Sequence, residues 1–134
     1  MAFNLNKRST IDVFSLQLRD PDTDELLFED AAKKKPITVD IYGPGSAPYK
    51  NAVLALQNRQ LKRGKKTMTA ELLREEGTEL LAAAVAGSSG NIEYNGEIVK
   101  TKEEWVELLS DSALEWLRDQ INTAQNDLSN FLPK

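Results

Sequence analysis

The chain has 134 residues, 40% apolar and 28% charged, with a formal net charge of −4; these are the proportions of one folded domain with a real core, not of a disordered polymer. It contains no cysteine and no histidine, which removes disulfides, thiolate nucleophiles, Cys- or His-ligated metals and the usual general base near neutral pH. No catalytic motif is present and no spacing singles out a carboxylate pair, so no enzyme, metal or cofactor is expected.

Residues 1–10 are polar and expected to fray unless a partner pins them. They carry no apolar run of the kind a signal peptide needs, and nothing further on is long enough to span a membrane, which points to the cytoplasm. Ile11-Asp-Val-Phe-Ser-Leu-Gln-Leu-Arg19 alternates, with Phe14, Leu16 and Leu18 on one face, as a half-buried strand does. Asp20-Pro-Asp-Thr-Asp24 is turn chemistry, and residues 25–28 can return as a second strand. Lys33, Lys34 and Lys35 read as a solvated loop before Pro36. Ile37, Val39 and Ile41 then alternate inward in a third strand. Residues 11–42 are therefore expected to form an antiparallel sheet with one wet face.

Gly43-Pro-Gly-Ser-Ala-Pro48 lacks the spacing of a phosphate-binding loop, and its prolines remove N–H groups such a loop needs. It reads as a connection, with Ser46 as N-cap of a helix over residues 49–62 whose apolar side is Val53, Leu54, Leu56 and Leu61. Arg59, Lys62, Arg63, Lys65 and Lys66 form a basic cluster around the stop at Gly64. Cations at a helix C-terminus and a glycine just past it need no nucleic acid to explain them, and no stacking aromatics are interleaved. Thr69 caps a central, Ala-rich helix over residues 70–86, with Leu72, Leu73, Leu80, Leu81 and Val85 facing the core. Asn95-Gly96 suits a type I′ turn between short strands. Thr101 with Glu104 makes a capping box, and Trp105, Val106, Leu108 and Leu109 form the apolar side of the helix it starts. Ser112 offers a further N-cap, after which Leu114, Leu117, Ile121, Ala124, Leu128 and Phe131 recur as one seam on a long helix.

The expected fold is α+β in a single domain over 1–134. An N-terminal antiparallel sheet of about three strands (11–42) precedes a mainly helical region (46–131) of about four helices with a small hairpin. Residues 1–70 carry 12 basic and 8 acidic side chains, and residues 71–134 carry 5 and 13. The acidic half argues against phosphate-backbone binding there and leaves room for a basic-to-acidic contact between copies of the chain. The candidate protein-interface residues are Trp105, Trp116, Leu117, Ile121, Leu128 and Phe131, the tryptophans because Trp is enriched at binding hot spots. The competing expectation for the 114–131 seam is packing within the fold.

The order of Glu79-Leu-Leu-Ala-Ala-Ala-Val-Ala86, Ile92-Glu-Tyr-Asn-Gly-Glu-Ile98, Thr101-Lys-Glu-Glu-Trp-Val-Glu-Leu-Leu109 and Leu114-Glu-Trp-Leu-Arg-Asp-Gln-Ile121 resembles the tail assembly chaperones of long, non-contractile-tailed bacteriophages. The likeness covers roughly residues 70–131. It departs at Gly90-Asn-Ile-Glu-Tyr94, where the family often has Trp. The resemblance implies a non-enzymatic protein that coats the tape measure protein, brings tail tube subunits to it and is absent from the finished virion. It also implies a homo-oligomer assembling with a longer form made by a −1 frameshift, this chain being the short form in the host cytoplasm. The other readings are a structural tail or head–tail joining protein and a small nucleic-acid-binding regulator using residues 59–66.

Overall fold

The computed structural model describes residues 2, 5, 10–64, 69–89 and 92–132. The expectations for most of residues 1–10, for Lys65 and Lys66 and for Gly90 and Asn91 lie outside the described residues. The architecture is α+β as the sequence predicts, the described residues forming a three-stranded antiparallel sheet, four α-helices and a small hairpin.

Strand β1 (Val13–Gln17) pairs with β2 (Thr38–Tyr42) in the register Phe14↔Ile41 and Leu16↔Val39, so the alternating apolar side chains of both strands share one face. On the opposite, wet face Ser15 Oγ donates to Asp40 Oδ1. The third strand differs from expectation. Residues 25–28 make only isolated bridges, Arg19↔Leu26 and Phe28↔Pro36, where Leu27 N donates to Leu18 O (2.9 Å) and Ile37 N to Leu27 O (3.0 Å). The strand beside β2 is β3 (Val85–Ser88), placing β2 in the middle. The Ala-rich helix accordingly stops early. Pairing with β2 supplies Ala84 O with Tyr42 N (2.6 Å) and Ser89 N with Thr38 O (3.0 Å), and this overrides the local helix preference of Ala84-Val-Ala86.

The helices are α1 (Ala47–Arg63), α2 (Ala70–Ala83), α3 (Lys102–Ser110) and α4 (Glu115–Asn126). Thr69 accepts from Leu72 N at 3.1 Å, and Thr101 and Glu104 form the complete capping box. Between β4 (Glu93–Tyr94) and β5 (Glu97–Ile98), Asn95 and Gly96 both take positive φ, 52° and 83°, as a type I′ turn requires. Two caps depart from expectation. Ser46 holds the N-cap position of α1, but its buried Oγ donates to Gly43 O (2.8 Å). At the break after α3 it is Asp111, not Ser112, that caps: Oδ1 accepts from Ala113 N (2.9 Å) and Oδ2 from Tyr94 OH (2.9 Å), fastening the hairpin to the helix turn.

The seam beginning at Leu114 packs against the sheet. Leu117, Ile121 and Ala124 of α4 are buried with Val39 and Ile41 of β2 and Leu18. The seam does not continue on one helix. α4 ends at Asp127, whose extended backbone and side-chain bond to Ser129 N (3.0 Å) start a 3-10 turn, Leu128–Phe131. That turn points Leu128 to solvent and drives Phe131 inward, edge-on to Phe14 with ring centroids 6.1 Å apart. Phe131 lies so close to Gly43 that a Cβ there would stand 2.9 Å from its ring. Gly43→Ala is therefore expected to destabilise the fold by about 1–3 kcal/mol through overpacking. Urea unfolding of the single variant and of its combination with Phe131→Leu measures this, and the second change should recover part of the loss.

Candidate interaction surface

The structure divides the six candidate interface residues. Trp105 of α3, Leu117 and Ile121 of α4, and Phe131 are core, each at most 4% exposed. Trp116 is half-buried and packs against that core. Only Leu128 is well exposed, at 61%. Except at Leu128, the 114–131 seam thus packs within the fold, the second of its two expectations, and holds helix to sheet.

Other leucines are left outside. Leu54 and Leu61 of α1 are 57% and 81% exposed, and Leu73 of α2 is 54% exposed. The cause is helical geometry. Leu54 and Leu61 are seven residues apart and share a face, while Leu56 lies on the far side and is the one buried residue of α1. The four apolar residues expected to face inward on this helix cannot all do so. Leu72 is half-buried and Leu73 points outward for the same reason.

What turns α1 this way is charge. Arg59 pairs with Glu79, and Arg63 Nη2 donates to Glu76 Oε1 at 2.9 Å with Gln60 Nε2 at 3.5 Å. The buried Glu76 carboxyl is held below the ordinary carboxylate range by the Arg63 bond, which outweighs the opposing effect of burial. Two arginines of the basic cluster are therefore bound to α2, while Lys62 is exposed. On the other side of α2, Arg74 pairs with Glu115 at 2.8 Å and likewise depresses that carboxyl. Arg118 donates to Thr78 Oγ1 and to Leu109 O (3.3 Å), locking α4 to α2 and α3. Burial lowers the Arg118 pKa from its ordinary value.

A groove of about 380 Å³ lies between β1 and α4, and another of about 270 Å³ is bounded by Tyr49, Gly77, Leu81 and Arg118. Among the described residues no group of three or more Asp or Glu could hold a metal ion. No helix among them is long and apolar enough to cross a membrane. Comparison with protein-family models, curated proteins and solved structures finds no match to this chain.

The Glu76–Arg63 pair gives the fold an acid-sensitive seam. A carboxyl whose pKa is lowered by folding stabilises in full above its unfolded value, near 4.5, and loses that contribution as pH falls through the lower folded value. Urea midpoints should therefore be level near neutrality and decline below pH about 4.5, together with the lowered Glu104, Asp111 and Glu115. Glu76→Gln should lower the neutral midpoint and flatten the decline; an unchanged slope would remove Glu76 from the account.

Proposed function

We propose that the protein is a tail assembly chaperone of a long, non-contractile-tailed bacteriophage. In this reading it binds the tape measure protein, keeps it soluble and brings tail tube subunits to it, acting in several copies and together with a longer frameshifted form. It works in the host cytoplasm and leaves no copy in the virion.

The observation that carries the reading is the leucine-bearing outer side of α1. A tape measure is a long, largely helical protein with apolar stretches that aggregate before assembly. Leu54 and Leu61, in register on a 17-residue helix, suit pairing with an apolar helix face. Lys50 and Lys62 on the same helix keep that surface solvated when empty. The nucleic-acid reading loses ground because Arg59 and Arg63 are already paired with carboxylates. A structural tail protein remains the rival, and mass spectrometry of purified virions separates it from a chaperone by its presence in particles.

The double variant Leu54→Asp, Leu61→Asp tests the surface. Both positions are exposed, so its circular dichroism spectrum should match the parent. Co-expressed with the tape measure protein, the parent should keep the client soluble. The variant should bind it at least about tenfold more weakly, a loss of about 1.4 kcal/mol, and leave it in the pellet. Undiminished rescue by the folded variant would overturn the assignment of this face.

A further inference from the structure

Strand β1 is an outer strand of the sheet, and among the described residues one of its edges meets no other strand. Bonds at its two ends fix which backbone groups point outward. Leu18 N donates to Ile37 O (3.0 Å) and Gly43 N donates to Asp12 O (2.8 Å), so even-numbered residues turn toward β2 and odd-numbered ones away from it. The carboxyl-terminal helical segment closes both ends of the outward row. Gln120 of α4 acts as a one-residue substitute strand: its Nε2 donates to Arg19 O at 2.8 Å, and its Oε1 accepts from Arg19 N at 2.9 Å. At the other end Ile11 N donates to Phe131 O at 2.6 Å. Between these clamps the outward N–H and C=O groups of Val13, Ser15 and Gln17 have no strand among the described residues to pair with.

Beside that open stretch runs the 380 Å³ groove. Its apolar lining is Phe14, Leu16 and Ala124, with Thr123 on the helical wall and the carboxylates of Asp119 and Asp127 along it. Arg19, the one cation among its described lining residues, is tethered through Nη1 to Asp24 O at 2.9 Å.

We propose that this groove binds an extended segment of a partner polypeptide by strand addition to β1, a segment with apolar side chains at alternate positions and a Lys or Arg at its ends. Main-chain bonds to Val13, Ser15 and Gln17 supply the affinity, as in other strand-addition sites, and the groove supplies the side-chain preference. Among the described residues of the groove, carboxylates outnumber cations, and that balance selects a basic segment. The same charge argues against a second copy of this chain paired edge to edge, which would bring two sets of Asp119 and Asp127 together. The site is separate from the α1 face and stands whether or not that face holds a tape measure protein.

The probe is the synthetic peptide Lys-Thr-Val-Thr-Leu-Thr-Lys, added to the full chain and followed by amide hydrogen exchange in NMR. The amides of Val13, Ser15 and Gln17 should exchange at least about tenfold more slowly with peptide, while those of Phe14 and Leu16, already turned to β2, should change little. The same peptide with Glu in place of both Lys should bind at least about tenfold more weakly at low salt, and the gap should narrow as salt is raised. Thr123→Arg, at an exposed helical position, should abolish binding of the Lys peptide without changing the spectrum of the core. Three results overturn the proposal: no protection of the three amides up to the peptide's solubility limit, equal binding of the Glu peptide at low salt, or protection that needs no peptide and rises with protein concentration. The last would assign the edge to a second copy.

Discussion

The fold depends on one contact, the packing of α4 and the turn after it onto the middle strand of the sheet. Val39 and Ile41 of β2 are fully buried, and Ile121, Leu117, Ala124 and Phe131 are the side chains of the carboxyl-terminal segment that share their core. Residues more than 70 positions apart thus form the centre of the domain, and removing one of them leaves a cavity with no nearby chain to fill it. Phe131 fixes the outcome at the far end. Its ring needs the space that only a glycine at position 43 leaves, and its carbonyl receives Ile11 N, so the last helical turn also anchors the start of β1.

Around this centre the attachments differ in kind. α3 enters through Trp105, Leu108 and Leu109, all buried. α1 places a single buried side chain, Leu56, and is held to α2 through Arg59–Glu79 and Arg63–Glu76. Such contacts are directional, unlike apolar burial, so they set which face of α1 turns outward. The result leaves Leu54 and Leu61 at the surface of a helix whose polar residues do the attaching. Removing Arg63 would leave the buried Glu76 carboxylate without its ion partner, so this orientation is guarded against slippage.

Much of this was legible in the residues. The alternation in 11–19 and 37–42 gave both strand faces, Asn95-Gly96 gave the hairpin turn, and Thr101 with Glu104 gave the cap, because each is a local signal with a local cause. The third strand was not legible. Val85-Ala86-Gly87-Ser88 follows an Ala-rich helix without a break in pattern, and only the empty edge of β2, distant in sequence, makes it a strand. The apolar spacing marks one stripe up to Ala124 and fails at Leu128, where Asp127 halts the helix and a 3-10 turn begins. The outward leucines of α1 were hidden because apolar residues lie on two sides of that helix, and charge pairs made across space decide which side wins. Their signal was the seven-residue spacing of Leu54 and Leu61 against the offset of Leu56.

The absence of cysteine from the sequence makes the central claim directly measurable. Single-cysteine variants Leu61→Cys and Leu128→Cys, both at exposed positions, can carry a thiol-linked photo-crosslinker without disturbing the core. Irradiated with the co-expressed tape measure protein, the label at position 61 should give a covalent product with the client and the label at position 128 should not. A product from position 128 alone would return the binding surface to the carboxyl-terminal segment and contradict the role given to α1.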